Sequence, residues 1–161
     1  LFLEEGSKSE LVISRFKENF PPKKINQPRQ IKEFYESSAV DEKYFYRHNS
    51  CYFFSELVKN VTKVNTAYQW RRIYMRENKS GVCPTLTANM GTGGHNVPII
   101  KVAEQCYRKL TPRECFNLQG YPNNFKLPSD IANTQLYKQA GNSVTVPLIR
   151  IIADVISKCF E

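Results

Sequence analysis

The strongest local signal in this chain is a helix start at residues 111–114, where the sequence reads Thr-Pro-Arg-Glu. Thr111 and Glu114 form a capping box, and Pro112 occupies the first helical position, where its missing N–H costs nothing. Gly120 is placed to stop that helix. The pattern predicts a short helix that is fixed at both ends, which limits how the chain around it can be arranged.

A second helix is predicted near the end of the sequence. Pro147 is placed to start it, and apolar side chains then recur at three- and four-residue steps, which gives the helix one apolar face. Those side chains are Leu148, Ile151, Ile152, Val155 and Ile156.

Earlier parts of the chain give weaker signals. The apolar run at 11–16 indicates a buried or edge strand, and residues 29–37 favour a short helix. Residues 69–75 indicate a strand, and the glycines and prolines between 81 and 98 predict loops. Residues 40–64 show no clear period.

Length and composition limit the class of protein. With 161 residues the chain can form one domain or two small lobes, and 41% hydrophobic residues are too many for a disordered tail. No run approaches the roughly 18 apolar residues that a membrane helix needs. The chain begins at Leu1 without a basic stretch followed by an apolar one, so we expect no signal peptide and a fragment or a trimmed subunit.

The five cysteines and two histidines are scattered along the chain, with no CxxC pair. A zinc site needs clustered ligands, so we expect no metal, and unpaired thiols suit a reducing cytoplasm. Most of the cysteines are expected to be small buried hydrophobes. Cys83 precedes a proline in a basic segment, a setting that allows a lowered thiol pKa.

The positive charge is concentrated in one segment. Residues 59–109 hold nine basic and two acidic side chains, a net charge of +7, compared with +8 for the whole chain. Such a concentration indicates a polyanion partner, with a solvated basic surface as the plain alternative. The sequence has no GxGxxG, no P-loop and no nucleophile elbow, so on its own it does not resemble a complete enzyme.

Three stretches carry a resemblance to a known family. Residues 108–122 read RKLTPRECFNLQGYP, and residues 137–147 read YKQAGNSVTVP. These resemble the ninth and tenth motifs of bacterial DNA (cytosine-5) methyltransferases, RxLTPRECxRLQGFP and YKQxGNSVxVP. The Arg-Ile-Tyr sequence at 72–74, with the Pro-Thr-Leu-Thr stretch at 84–87, resembles the target recognition domain that precedes those motifs. The resemblance is specific over residues 72–156 and loose before them.

The resemblance implies methyl transfer from S-adenosylmethionine to carbon 5 of a cytosine that is flipped out of double-stranded DNA. The family's nucleophilic cysteine lies in a Pro-Cys pair, which this sequence lacks. The FxGxG cofactor motif, the Glu-Asn-Val stretch and the QxRxR motif of the family are also absent. We therefore expect the recognition half of such an enzyme, with no catalytic residue of its own and a catalytic half as its partner.

The expected DNA-binding residues lie between positions 71 and 94. Arginines can contact guanine or phosphate, short polar side chains can bind base edges, and glycines let the backbone approach the groove. The resemblance points most directly to Arg72, Thr85 and Leu86, and core packing is the plain expectation for Tyr74 and Leu86. The full set is Arg71, Arg72, Arg76, Thr85, Leu86, Thr87, Asn89, Gly91, Gly93 and Gly94.

The two family motifs imply different roles. Arg108, Arg113 and Glu114 of the ninth motif are expected to fix the recognition domain through hydrogen bonds and ion pairs. The turn of the tenth motif is expected to border the S-adenosylmethionine pocket, with a simple helix–turn–helix corner as the alternative. The residues of that turn are Asn142, Ser143 and Val144.

The expected fold is α/β. Residues 25–107 are expected to form a small irregular target recognition lobe, 1–24 an edge of the catalytic domain, and 108–161 helices that complete a Rossmann-like methyltransferase domain. Whether the chain is the small subunit of a split enzyme or a fragment of a single-chain enzyme stays open.

The expected partners are double-stranded DNA and the catalytic half, and the expected location is the bacterial cytoplasm or DNA, with no membrane. A stand-alone DNA-binding or regulatory module without methyltransferase activity is the main alternative. An RNA-binding domain is a further alternative, although no aromatic RNP-like strand is present.

Overall fold

The computed structural model describes residues 3–20, 29–79, 81–92 and 97–160. Contacts divide the chain into a helical unit, residues 1–27 with 144–161, and a sheet unit, residues 28–143. In chain order the elements are α1 (Leu3–Asn19), β1 (Phe45–Tyr46), α2 (Phe54–Asn60), β2 (Tyr68–Arg71), β3 (Tyr74–Glu77), β4 (Ile99–Ala103), β5 (Cys106–Lys109), α3 (Pro112–Leu118), α4 (Asn133–Asn142) and α5 (Val146–Phe160).

The helical unit is formed by α1 and α5, which pack against each other. The apolar run at 11–16 lies inside α1, so the predicted strand is wrong. Its β-branched residues favour a strand locally, but charged residues that favour helices flank the run, and packing against α5 overrides the local preference. Val12 is half-buried in α1, whereas Leu11 and Ile13 are exposed.

The predicted C-terminal helix is confirmed as α5, which begins at Val146, one residue before Pro147. Its apolar face is covered only in part within this unit. Val155 and Cys159 are buried, but Leu148 and Ile156 are about half exposed. The helical unit therefore leaves apolar side chains in contact with solvent.

The sheet unit contains an antiparallel sheet in the strand order β1-β5-β4-β2-β3, which confirms the α/β class. The single strand predicted at 69–75 is instead a hairpin of β2 and β3, in which Gln69 lies opposite Arg76. The two-residue turn is made by Arg72 and Ile73, and Arg72 has φ +59°, in the left-handed region. The sequence offers no Gly, Asn or Asp at this turn, so the usual hairpin signature is missing.

Each face of the sheet has its own core because successive residues of a strand point to opposite faces. Ile99 belongs to the core that α2 covers, with Leu57 and Trp70. Ile100 belongs to the core that α3 and α4 cover, where Leu110, Cys115, Leu136 and Tyr137 are buried. The second core places α4 beneath the loops that follow the hairpin.

The helix start predicted at 111–114 is confirmed. Thr111 Oγ1 accepts a hydrogen bond of 3.1 Å from the amide of Glu114, and Glu114 Oε2 accepts one of 2.9 Å from the amide of Thr111. Gly120, with φ +83°, follows the end of α3, as expected. The short helix predicted at 29–37 is present only as a 3₁₀ turn, Ile31–Phe34.

Candidate nucleic-acid interface

One face of the β2–β3 hairpin is polar and basic. Tyr68 and Trp70 point into the core on the other face, so Gln69 and Arg71 share the polar face. Arg76 joins them because it lies opposite Gln69 in the antiparallel register. The alternation of the strand therefore brings two arginines and an amide together.

The arginines of this hairpin have no acidic partners among the residues that the structure describes. The two carboxylates of the basic segment are taken by lysines, Lys63 with Glu77 at 2.7 Å and Lys101 with Glu104 at 2.8 Å. Within the described parts of the chain, no ion pair involves any hairpin arginine, which leaves their positive charges uncompensated. These arginines are Arg71, Arg72 and Arg76.

Arg71 is held in place by its neighbour on the strand. Its Nη2 donates a hydrogen bond of 2.9 Å to Gln69 Oε1. Its buried Nε has no hydrogen-bond partner among the described residues. Since a buried donor without a partner is costly, this N–H is available to an acceptor that the described residues do not supply.

The loop that follows β3 forms the other wall of a cleft of about 510 Å³. Asn78 Nδ2 donates a hydrogen bond of 2.6 Å to the carbonyl of Val82, and Thr87 Oγ1 donates one of 2.7 Å to Asn89 Oδ1. These bonds tie the loop locally and leave Thr85, Thr87 and Asn89 on its exposed side. The cleft is lined by Gln69, Arg71, Arg76, Asn78, Val82, Cys83, Pro84, Thr85, Thr87 and Asn89.

Half of the expected DNA-binding residues line this cleft. They are Arg71, Arg76, Thr85, Thr87 and Asn89. Gln69 and Asn78 are cleft residues that the sequence reasoning missed. Gln69 was detectable, since it lies two positions before Arg71 and so on the same face of a strand.

The remaining expected residues are placed differently. Arg72 is exposed at the hairpin turn, and Gly93 and Gly94 lie outside the described residues. Leu86 packs against the buried core, as expected. Tyr74 is 55% exposed, so the expectation of core packing is wrong for it, because β3 is the edge strand of the sheet.

Gly91 contacts protein rather than open space. It has φ +81°, and a Cβ there would lie 2.6 Å from Cδ2 of the Tyr137 ring. Its missing side chain is therefore required for packing against α4, independently of any approach to DNA.

Cys83 lines the cleft, but it does not have the chemistry of a nucleophile. Burial raises the pKa of its thiol to about 12, so the lowered pKa that its setting allowed is wrong. The thiol is protonated at neutral pH. Among the described residues, no group of three or more His, Cys, Asp or Glu side chains could hold a metal ion.

Arg108 and Glu114 form a buried ion pair, which with Thr111, Tyr35 and Glu36 we call the ninth-motif corner. Arg108 Nη1 and Nη2 donate hydrogen bonds of 2.7 Å to the two carboxylate oxygens of Glu114. The side chains are 5% and 0% exposed. Glu114 also accepts from the amides of Glu36 at 3.0 Å and Thr111 at 2.9 Å, so its carboxylate binds four donors.

Burial is the largest single influence on Arg108 and opposes its charge, but the hydrogen bonds to Glu114 and the attraction of nearby negative charges, Glu114 first, together raise the pKa of the guanidinium. The guanidinium also lies 5.6 Å from the centre of the Tyr35 ring. Arg113 differs from Arg108, since no described carboxylate pairs with it and its buried Nη1 has no hydrogen-bond partner in the described ranges.

The tenth-motif residues lie at the end of α4 and just after it. Asn142 is the last residue of α4 and is exposed, and Ser143 Oγ donates a hydrogen bond of 3.1 Å to the carbonyl of Ala140. Val144, the first residue of the helical unit, is 56% exposed.

No helix in the described ranges is both long enough and apolar enough to cross a membrane.

A family model described as C-5 cytosine-specific DNA methylase matches residues 4–158. The type II methyltransferase M.Bsp6I of Bacillus sp. (strain RFL6) is 61% identical over 122 residues, which cover 76% of this chain and 38% of that protein. The type II methyltransferase M.NgoBI of Neisseria gonorrhoeae is 30% identical over 158 residues, covering 93% and 45%.

A solved structure supports the fold. The crystal structure of S. pombe Dnmt2 methyltransferase superposes with a TM-score of 0.59 at 14% identity, over 84% of this chain and 44% of that one. The chain spans less than half the length of each of these three proteins.

Proposed function

This chain belongs to the C-5 cytosine-specific DNA methylase family, and on that premise we propose that it is the sequence-specific DNA recognition part of a cytosine-5 methyltransferase. The observation that carries the proposal is the cleft between the hairpin and the following loop. Arg71 and Arg76, which have no acidic partner in the described part of the chain, face three short polar side chains there. This combination suits phosphate and base-edge contacts with double-stranded DNA.

The tip of the hairpin extends the proposed interface. Ile73 is 85% exposed, and Arg72 beside it is exposed at the turn. An exposed arginine next to an exposed apolar side chain can bind guanine and contact a neighbouring base in the major groove. We therefore assign Arg72 to base recognition and the two cleft arginines to phosphates or bases nearby.

The methyl-transfer chemistry is proposed to reside in another part of the enzyme. S-Adenosylmethionine, when bound, supplies the methyl group. The cleft thiol, Cys83, is half-buried and protonated, and the sequence lacks the family's Pro-Cys pair. Asn142, Ser143 and Val144 are proposed to contribute one wall of the cofactor site, with the rest of that site supplied by the catalytic half.

The helical unit is the proposed docking surface for that catalytic half. Leu11, Ile13, Leu148 and Ile149 are each about half exposed, and Phe160 is 73% exposed. Exposed apolar side chains on two adjacent helices are typical of an interface that lacks its partner. The relatives are more than twice as long as the matched part of this chain, so the remainder of such an enzyme is the occupant that fits.

Methyl transfer tests this proposal. Radiolabelled S-adenosylmethionine and mixed-sequence duplex DNA are supplied to the chain alone and to the chain with the catalytic half of a relative. We expect no transfer by the chain alone and clear transfer by the pair. Transfer by the chain alone would contradict the assignment of the chemistry to another part. No transfer in either case, with DNA binding intact, would favour the stand-alone regulatory module.

Salt dependence of binding tests the DNA-binding step separately. If six phosphates are contacted, affinity for duplex DNA falls on the order of 10³-fold between about 50 and 200 mM salt. Single-stranded RNA of matched length is the control ligand. A salt-insensitive affinity, or a preference for the RNA, would contradict the assignment to double-stranded DNA.

The protein is expected to act in the cytoplasm, where it has access to DNA.

A further inference from the structure

The loop that follows β3 and forms one wall of the cleft contacts α4 at two places, and only glycine fits at each of them. On the helix, a Cβ at Gly141 would lie 2.1 Å from the carbonyl oxygen of Thr87 and 2.7 Å from the amide nitrogen of Ala88. On the loop, a Cβ at Gly91 would lie 2.6 Å from the Tyr137 ring. Real Cβ contacts are essentially never this short, so the two elements are as close as their backbones permit.

The two contacts lie on one face of α4. Tyr137 and Gly141 are four residues apart, which places them one above the other on a helix. That face is itself fixed, because Tyr137 is buried and its hydroxyl donates to the carbonyl of Leu110 in the core. Ala140, between them in the sequence, is fully buried as well. The loop therefore rests on a part of the helix that cannot shift easily.

A glycine within a helix requires an explanation. Gly141 is the next-to-last residue of α4, where glycine in place of alanine costs up to about 1 kcal/mol. No turn or left-handed conformation accounts for it. The close approach of the Thr87 and Ala88 backbone does, since any side chain at this position would displace the loop.

We propose that Gly91 and Gly141 are positioning residues for DNA recognition, through which α4 fixes the conformation of the loop that carries Thr85, Thr87 and Asn89. The inference rests on the proposed function, since that loop forms one wall of the cleft. Neither glycine touches DNA through a side chain. Because they lack a Cβ, they allow α4 and the loop to pack in direct contact.

A methyl group at position 141 gives the sharpest test. Ordinary van der Waals contact begins at about 3.4 Å, so Gly141→Ala must move the loop backbone by more than 1 Å. Arg71 and Arg76 stand on the strands and stay in place. The variant should therefore lose the DNA contacts that Thr85, Thr87 and Asn89 make, while it keeps the contacts of the hairpin arginines. Gln139→Ala, at an exposed position of the same helix, is the matched control.

The measurement compares two duplexes. A preferred duplex is first selected from a randomised library with the unchanged full chain, and a scrambled version serves as the non-specific ligand. For Gly141→Ala we expect the affinity for the preferred duplex to fall about tenfold or more and the affinity for the scrambled duplex to change less than about twofold. Gln139→Ala should bind both as the unchanged chain does. Equal losses on both duplexes, or no loss on either, would overturn the inference.

Amide hydrogen exchange separates failure of the inference from failure of the proposed function. The amide of Met90 donates a hydrogen bond of 2.9 Å to the carbonyl of Thr87, so its exchange reports the loop. In Gly141→Ala it should exchange faster, with the sheet amides unchanged, whether or not DNA binds. If no preferred duplex emerges but Met90 behaves as expected, the positioning stands and the DNA-binding proposal fails.

The unchanged chain provides a second measurement in case Gly141→Ala does not fold. Binding of the preferred duplex should slow exchange at Met90 and also at Gly141, which the duplex does not contact through a side chain. Slower exchange in the loop without any change in α4 would overturn the inference.

Discussion

Arginines are used in opposite ways in two regions of the sheet unit. In the ninth-motif corner, Arg108 is buried and both of its terminal nitrogens bind one carboxylate. In the β2–β3 hairpin, Arg71, Arg72 and Arg76 have no acidic partner among the described residues, and the latter two are exposed. Both regions come from stretches that resemble family motifs, so the resemblance alone does not separate them.

The difference lies in where the compensating charge comes from. A buried guanidinium needs its partner within the fold, because an unpaired charge in a desolvated site is strongly destabilising. An exposed guanidinium is stable without one and can bind a polyanion at little cost to folding. The ninth-motif corner is therefore expected to govern stability, and the hairpin to govern binding.

The largest expected effect comes from removing the partner of the buried arginine. Glu114→Ala leaves Arg108 buried without its counter-ion and two backbone amides without their acceptor, which should lower the free energy of unfolding by about 3–5 kcal/mol. Denaturant unfolding, followed by the fluorescence of the single tryptophan, Trp70, measures it. Glu42→Gln, which breaks an exposed pair with Arg47, should change stability far less, because solvent screens that pair. Equal losses in the free energy of unfolding of the two variants would show that the buried ion pair contributes no more to stability than the exposed one.

The next largest effect belongs to the hairpin and concerns binding. Arg76→Ala should weaken binding of a preferred DNA duplex by about 1–3 kcal/mol if Arg76 reads a base, or lower the salt slope by about 1 if it contacts a phosphate. The free energy of unfolding should change by less than about 0.5 kcal/mol, because Arg76 is exposed. Lys138→Ala, which removes one positive charge from the exposed side of α4, is the control. If both variants lose the same affinity, net charge and not the cleft accounts for binding.

The sequence predicted the corner better than the hairpin, for a physical reason. The capping box and the stop at Gly120 depend on residues within one helical turn of each other, so local chemistry determines them. The ion pair of Arg108 with Glu114 adds a partner only six residues away. By contrast, the amide of Glu36 donates a hydrogen bond to Glu114, which lies 78 residues away in sequence, and no local sequence pattern predicts that contact.

The hairpin and α1 show what local patterns miss. Trp70, Ile73 and Tyr74 favour a strand on both sides of the turn, and Arg72 takes up a left-handed turn conformation that its residue type does not signal. The apolar run in α1 became helical because it packs against α5, more than a hundred residues away in sequence. Five of the ten expected DNA-binding residues line the cleft, and the amide of Gln69 joins them through the pairing of β2 with β3.

Alkaline pH should reduce the stability of the ninth-motif corner through the ionisation of Tyr35. Burial, and then the nearby Glu114 carboxylate, raise the pKa of this tyrosine above its ordinary value of 10.0. As pH rises, the unfolded chain therefore releases this proton before the folded chain does. The stability that Tyr35 contributes is complete below pH 10 and is lost as pH rises above 10. The loss is at most about 1.4 kcal/mol per pH unit.

Tyr35→Phe isolates that contribution. The buried hydroxyl has no hydrogen-bond partner in the described parts of the chain, so its removal should cost little at neutral pH. Denaturant unfolding at a series of pH values above 9 should show a shallower loss of stability in the variant. A residual slope is expected because burial also raises the pKa of Tyr137. Parallel pH profiles for the two proteins would contradict the placement of Tyr35.

The smallest expected effect has opposite signs in folding and in binding, and it arises from the turn of the hairpin. Arg72 has φ +59°, and a residue other than glycine pays about 1 kcal/mol for such a conformation. Arg72→Gly should therefore raise the free energy of unfolding by roughly 0.5–1 kcal/mol, even as it weakens the preference for one base position.

Gln105→Gly is the matched control, because Gln105 holds φ +50° in the turn between β4 and β5, outside the cleft. It should gain similar stability and leave DNA binding unchanged. If both variants are stabilised and only Arg72→Gly loses base preference, then the hairpin keeps a strained arginine for binding and not for folding. If Arg72→Gly binds every duplex as the unchanged chain does, Arg72 is not a DNA-binding arginine, and the contrast with Arg108 holds only for Arg71 and Arg76. Recognition then depends on Arg71, Arg76 and the loop that packs against α4.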